Sequence, residues 1–258
     1  MGRLLCLLLL LPTLVAAQTP DHAALTAVVR AHVNERGVDY GTLKSQRATL
    51  DRYVAGLGRI SAAHFDGWSR GDQLAYLINA YNAIVLQSVI DHYPIKRSLN
   101  PAALLRPANS VWQIPGFFSD RKHPVAGRQL TLDDIEHRML RAVLKEPRVH
   151  GALVCAARSC PPLRMNAYQG DSIDAQLDDQ ARTFLNDPAR NVLDVKRGTV
   201  KLSEIFKWFA EDFGGTEKGV IEFVARYVEP ALQEWLRTGK YRISYFDYDW
   251  NLNDAPTR

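Results

Sequence analysis

Residues 71–91 constrain the fold more than any other part of the chain. Leu74, Leu77, Ile78, Tyr81, Val85 and Val89 recur at helical spacing, and Ala75, Ala83, Leu86 and Ile90 carry apolar surface around most of the circumference. A surface helix keeps one polar face, so this one is expected to be buried on most sides, with the rest of the chain packed around it. Within it stand Asn79 and Asn82, whose amides require partners inside the protein. The chain can build such an interior, because 47% of its 258 residues are hydrophobic and five are tryptophan.

Other elements follow from the same patterns. Leu25, Val28, Val29 and Val33 predict a helix over about 21–33, and a second is expected over about 50–57. Residues 92–130 are rich in Pro, Gly and Ser with interspersed aromatics, and form a long ordered excursion of the kind that often carries function. Thr131 and Asp134 resemble a capping box, with aspartate in place of the usual glutamate, opening a helix to about Lys145. The run Val149–Val154, closed by Pro161-Pro162, reads as a strand buried on both faces. Ile173, Leu177, Ala181, Phe184 and Leu185 mark a further helix, and residues 191–202 a hairpin. Ser203 can cap a helix holding Phe206, Trp208 and Phe209, a last helix spans about 218–236, and an aromatic tail over 241–250 closes the chain. Helices outnumber strands, which predicts an α+β fold, a mostly helical single domain around a small β-sheet.

Residues 1–17 read as a secretory signal peptide: Arg3, an apolar run from Leu4 to Ala17, and small residues Val15 and Ala17 before a cut at Gln18. Residues 18–258 then form one domain, exported to a periplasmic or secreted location, with no transmembrane anchor after cleavage, since an anchor needs about 20 apolar residues. Cys6 leaves with the leader. The formal net charge of +4 falls by one without Arg3, and with no Lys/Arg block it argues against a dedicated nucleic-acid binder.

The chemistry is concentrated in residues 148–164, where His150, Cys155 and Cys160 share one segment. A Cys155–His150 dyad would generate thiolate at neutral pH. On a regular strand, however, five residues put the two side chains on opposite faces, with Cα atoms roughly 16 Å apart. Asn79 or Asn82 could instead orient His150, as an asparagine does in papain-like thiol hydrolases. Cys155 and Cys160 could also close a disulfide through a turn at 156–159, structural or redox-active. Their spacing with His150 suits neither common zinc pattern, so no metal and no cofactor are expected. Asp133, Glu136 and His137 share a helix, either as solvated residues or with Glu136 or His137 reaching His150 as acid, base or orienter. Trp208 and Trp250 read as core and closing contacts.

Several of these segments carry a resemblance. The run Tyr76 to Ala83 with Asn79 and Asn82, the run Leu132 to Arg141 with Glu136 and His137, the run Arg148 to Leu163 with His150, Cys155 and Cys160, the run Leu202 to Phe213, and the run Tyr248 to Asn253 together resemble the domain of unknown function 547 family over about residues 60–253. Gly151 stands where that family leads one to expect Phe, and Leu77 where one expects Trp. The family name brings no established activity. The order of a buried helix followed by a His-bearing strand resembles papain-like and transglutaminase-like folds, although their cysteine starts the helix, where this chain has none. The expectation is a Cys/His-dependent enzyme for acyl transfer or hydrolysis of amides or thioesters, acting on a small-molecule or peptide ligand. The alternative is a non-catalytic envelope module held by a Cys155–Cys160 disulfide, with the 92–130 segment binding a partner.

Overall fold

In the computed structural model, which describes residues 21–255, four short helices lead into the long one. Helix α1 (Ala23–His32) feeds a two-residue hairpin, β1 (Val33–Asn34) and β2 (Gly37–Val38), then α2 (Tyr40–Ser45), α3 (Ala48–Leu57) and α4 (Ala62–Asp66). The leader expected over 1–17 lies outside the described residues. Helix α5 (Arg70–His92) begins where Ser69 Oγ accepts the Asp72 N–H at 3.1 Å, an ordinary N-cap. From Leu74 to Ile90 all its residues except Gln87 are buried, as its apolar circumference requires. Leu74, Leu77, Ile78, Ile84 and Ile90 are fully enclosed, each worth about 1.5–3 kcal/mol in transfer from water. The α2 and α3 helices pack on α5, as do the later helices over 134–143 and 173–185.

Within the 92–130 excursion, one side chain ties residues 98–107 together. Buried Gln113 donates from Nε2 to the carbonyls of Ala103 (2.7 Å), Pro107 (3.0 Å) and Arg106 (3.3 Å), and its Oε1 accepts the Ser98 N–H. The segment contains helix α6 (Pro101–Leu104) and the antiparallel hairpin β3 (His123–Val125) and β4 (Arg128–Leu130). Next comes the expected capping box: the Thr131 N–H donates to Asp134 Oδ2 and the Asp134 N–H to Thr131 Oγ1, both at 3.0 Å. The helix it opens, Asp134–Val143, is wound as a π-helix rather than the expected α-helix. It ends with the Leu144 N–H on the Met139 carbonyl, an i→i+5 bond.

The strand expected over Val149–Val154 is absent. Pro147–Gly151 forms a 3-10 turn, and the N–H groups of Ala152 and Leu153 both return to the Val149 carbonyl. An apolar run closed by prolines has the composition of a buried strand, but periodicity cannot separate that from a buried turn, and no neighbouring strand stands there to pair with it.

Helix α7 (Ile173–Leu185) joins the α5 core to a second apolar cluster. That cluster is built on the expected hairpin, β5 (Val192–Asp194) and β6 (Thr199–Leu202), with α8 (Ile205–Trp208), a 3-10 turn at Ala210–Phe213, α9 (Glu217–Ala225) and α10 (Pro230–Arg237). The single last helix expected over 218–236 is thus two helices, because Pro230 has no N–H to continue α9 and instead starts α10. The aromatic tail supplies β7 (Arg242–Tyr245), parallel to β6. The result is the expected α+β single domain, with sheets of only two and three strands and α5 at its centre. Among the described residues no helix is long and apolar enough to cross a membrane.

Candidate active site

The Pro147–Gly151 turn is held by Arg148 to its own start and to α7. Arg148 binds Glu146 through Nε and Nη2 and reaches Asp178 at 2.9 Å and Asp174 at 2.6 Å, while Glu146 accepts the Arg148 N–H. Burial opposes ionisation of Glu146, but Arg148 outweighs it and holds the carboxyl below its usual range. Further along the chain, Asn82 Nδ2 donates to the Ala152 carbonyl and Asn82 Oδ1 accepts the Val154 N–H, both at 3.0 Å. The chain between His150 and Cys155 is therefore fixed by the central helix. Because it is no strand, the opposite-face argument lapses, and His150 and Cys155 open on one cleft of about 890 Å³.

On one wall, His150 Nε2 stands 2.6 Å from Asp212 Oδ2. A carboxylate can only accept, so this nitrogen carries the proton and a neutral ring keeps its lone pair on Nδ1. Arg141 Nε donates to the same Asp212 oxygen, and its Nη2 to the other oxygen at 3.2 Å. Burial alone would raise the Asp212 carboxyl; His150 and Arg141 overcome it and pull it down to about 2. Phe209 stacks on the His150 ring at 4.1 Å and 18°, with the Arg141 guanidinium also over it. Arg141 Nη1 donates to His137 Nδ1 at 3.0 Å, and His137 Nε2 lies 3.7 Å from Asp133. Asp133, His137 and Arg141 thus form one linked column, of which Asp133 and His137 line the cleft.

On the other wall, Cys155 and Cys160 are both free, with sulfurs 2.6 Å apart. Ala156 between them takes φ 65°, the left-handed region that costs a residue with a Cβ roughly 1 kcal/mol or more. That kink folds the segment so that Cys160 Sγ receives the N–H groups of Cys155 (3.1 Å) and Ala157 (3.4 Å) and the Tyr248 hydroxyl (3.3 Å). Cys160 is only 1% exposed. Burial would raise its thiol, but these donors prevail and lower it; Cys155, whose hydrogen bond to Cys160 favours its protonated form, is pushed up. Cys155, half-buried, faces the cleft with Tyr248 Oη at 3.5 Å.

The remaining expected residues separate into two groups. Glu136 and His137 line the cleft with His150 and Cys155; Glu136 accepts a hydrogen bond from buried Tyr81, which adds to the rise that burial imposes on that phenol. Asn79 and Asn82 do not reach His150. Asn79 Nδ2 donates to the Tyr168 carbonyl (2.8 Å) and its Oδ1 accepts the Tyr168 N–H (2.9 Å), so both asparagines satisfy backbone, and the orienting partner is Asp212. Trp208 and Trp250, read as core contacts, stack on each other at the cleft, with Trp208 42% exposed. Asp212, Arg141, Arg106 and Tyr248 were not singled out by sequence reasoning, although a carboxylate among aromatics in the run Phe206–Phe213 marks Asp212. Among the described residues no three of His, Cys, Asp and Glu gather to hold a metal ion.

Comparison with known proteins adds a family likeness and no activity. No curated protein matches this chain, and no solved structure matches it. Residues 65–185 match the model of a family described as "Protein of unknown function, DUF547", a span that takes in α5, the π-helix, the His150 turn, both cysteines and α7. Through residues 65–185 the chain is thus similar to the domain of unknown function 547 family.

Proposed function

We propose that the protein is an exported thiol-dependent enzyme that transfers or hydrolyses acyl groups held as amides or thioesters. The observation that carries this reading is that Cys155 and His150 line one cleft, with Asp212 holding the His150 ring from outside it. With Nε2–H committed to Asp212, His150 Nδ1 is the free base. It takes the Cys155 proton as sulfur bonds to the substrate carbonyl carbon and the carbonyl π pair moves to oxygen. Collapse expels the amine or thiol, which recovers that proton from the imidazolium, and water or another nucleophile then releases the acyl group by the reverse sequence. Asp212 orients the ring and stabilises its charged form. Export rests on the leader-like residues 1–17.

The test is turnover of an aryl thioester by the purified protein and its variants. Cys155→Ala is expected to abolish it, and His150→Gln to lower it on the order of 10²–10⁴-fold, with melting temperatures nearly unchanged. Undiminished turnover in Cys155→Ala, or a parent without turnover whose variants lose only stability, overturns the reading.

A second reading is favoured by the adjacency of the two sulfurs, 2.6 Å apart. Loss of two protons and two electrons to a disulfide oxidant of the export compartment would join Cys155 to Cys160, removing the nucleophile and leaving a non-catalytic envelope module. Alkylation and intact mass, with and without prior reduction, separate the two readings. Two free thiols support the enzyme, and none before reduction supports the module.

A further inference from the structure

The cleft contains a cation with no counter-charge. Arg141 and Arg148, half-buried beside His150, are answered by Asp212 and by Glu146, Asp174 and Asp178. Arg106 lines the same cleft, and among the described residues its guanidinium meets no carboxylate and no carbonyl. It lies instead over two indoles, 4.9 Å from the Trp112 centroid and 5.5 Å from that of Trp250. Its backbone is fixed, since the Arg106 N–H binds the Ala103 carbonyl at 3.0 Å and buried Gln113 holds the Arg106 carbonyl. A guanidinium whose face rests on aromatic rings keeps its N–H edge free, and that edge matches a planar two-oxygen anion.

From Arg106 a continuous aromatic path leads to the sulfur. Trp250 stacks on Trp208 (5.8 Å, 19°), both rings contact Tyr248, and the Tyr248 hydroxyl stands 3.5 Å from Cys155 Sγ. Trp112 and Trp208 are more than a third exposed, so this shelf is an exposed apolar surface. Asp133 and Glu136 share the cleft, which makes a single negative charge a better occupant than a dianion.

We propose that Arg106 determines specificity: the cleft selects substrates with a carboxylate beside an aromatic or apolar body, the carboxylate on Arg106, the body on the Trp208–Trp250 shelf and the reacting carbonyl toward Cys155. The assignment of a reacting carbonyl rests on the thiol-enzyme reading; the carboxylate preference does not. Tryptophan fluorescence of the full chain, titrated with 3-phenylpropanoate and with its neutral isostere 3-phenylpropanamide, tests it without turnover. The parent is expected to bind the acid at least tenfold more tightly. Arg106→Gln should lose that preference while still binding the amide, and Arg106→Lys should recover only part, because an ammonium lacks the fork. Equal binding of acid and amide by the parent, binding of neither, or an undiminished preference in Arg106→Gln overturns the proposal. Cys155→Ala should retain the preference. A parent that prefers the acid yet turns over no thioester leaves the Arg106 assignment standing and removes only the catalytic reading.

Discussion

Burial acts on single ionisable side chains here with opposite consequences. Asp212 stays charged because His150 and Arg141 answer it. His22, 4% exposed, has the Tyr53 hydroxyl at 2.6 Å as its hydrogen-bond partner, and burial drives its imidazolium down to about 4, against smaller opposing pulls from Asp21 and Asp72. A folded-state value below the unfolded 6.5 means that the unfolded chain binds the extra proton first. Stability from neutral His22 is therefore complete above about 6.5, falls as the pH drops through this window, and is lost near 4, at a cost of at most about 3 kcal/mol. Urea unfolding at pH 7, 5.5 and 4 should record that decline, and His22→Gln should lessen its slope by about one proton; an identical slope in the variant would refute the assignment. Asp212 contributes in a separate window, from its unfolded value of 3.8 down to about 2. At this scale the sequence made His150, Cys155 and Cys160 legible, because they crowd into one short segment. Asp212, 62 residues from His150, was illegible as its partner, because only the tertiary approach of α8's following turn to the Pro147–Gly151 turn brings them together.

Among the elements, legibility followed the strength of local patterning. The circumference of α5 and the Thr131–Asp134 capping box encode their structure within one or two turns and were readable. The π-helix and the His150 turn were not: the first differs from an α-helix by one residue per hydrogen-bonded ring, and the second shares its composition with a buried strand. Gly151 ends that turn at a position where the family resemblance leads one to expect Phe. A Cβ there would meet Ala181 Cα at 3.7 Å and Phe184 Cδ1 at 3.8 Å, ordinary contacts, and the backbone is not left-handed. Beside it lies a void of about 10 Å³ walled by Phe184, Phe206 and Phe213. Gly151→Ala is thus expected to stabilise by about 0.4–1 kcal/mol, chiefly by restricting the unfolded chain, a rise in melting temperature of roughly 1–4 °C by calorimetry. Gly151→Phe should instead cost about 1–3 kcal/mol, since the void cannot take a ring. A lower melting temperature for the alanine variant would show that the turn needs glycine's freedom.

Across the whole molecule the C-terminal segment closes on the cysteine turn, and its aromatic pattern announces a closing contact but not the partners, which are scattered through the chain. Its backbone takes the Arg158 N–H on Asn251 (2.8 Å) and the Ser159 N–H on Asp249 (3.2 Å), gives the Asn253 N–H to Ala156 (2.9 Å) and the Leu252 N–H to Asn109 (3.1 Å), and bonds Val38 in both directions. Tyr40 Oη donates to Asn253 Oδ1 at 2.8 Å, and Tyr93 Oη to Asp254 at 2.7 Å. One strand of chain thus ties β2, the 92–130 excursion and the cysteine turn together, and sets Trp250 beneath Arg106. Six backbone hydrogen bonds at about 1 kcal/mol each, with burial of Leu252, put the tail's contribution on the order of 5–8 kcal/mol. Ending the chain after Tyr248 should then lower the melting temperature by on the order of 10–20 °C. It should also release the turn that encloses Cys160, so alkylation of Cys160 below that melting temperature should accelerate far more than alkylation of Cys155, which already faces the cleft. Equal acceleration of both thiols would mean that the truncated chain opens globally, and an unchanged Cys160 rate would mean that the turn is held by Asn82 and the kink at Ala156 without the tail.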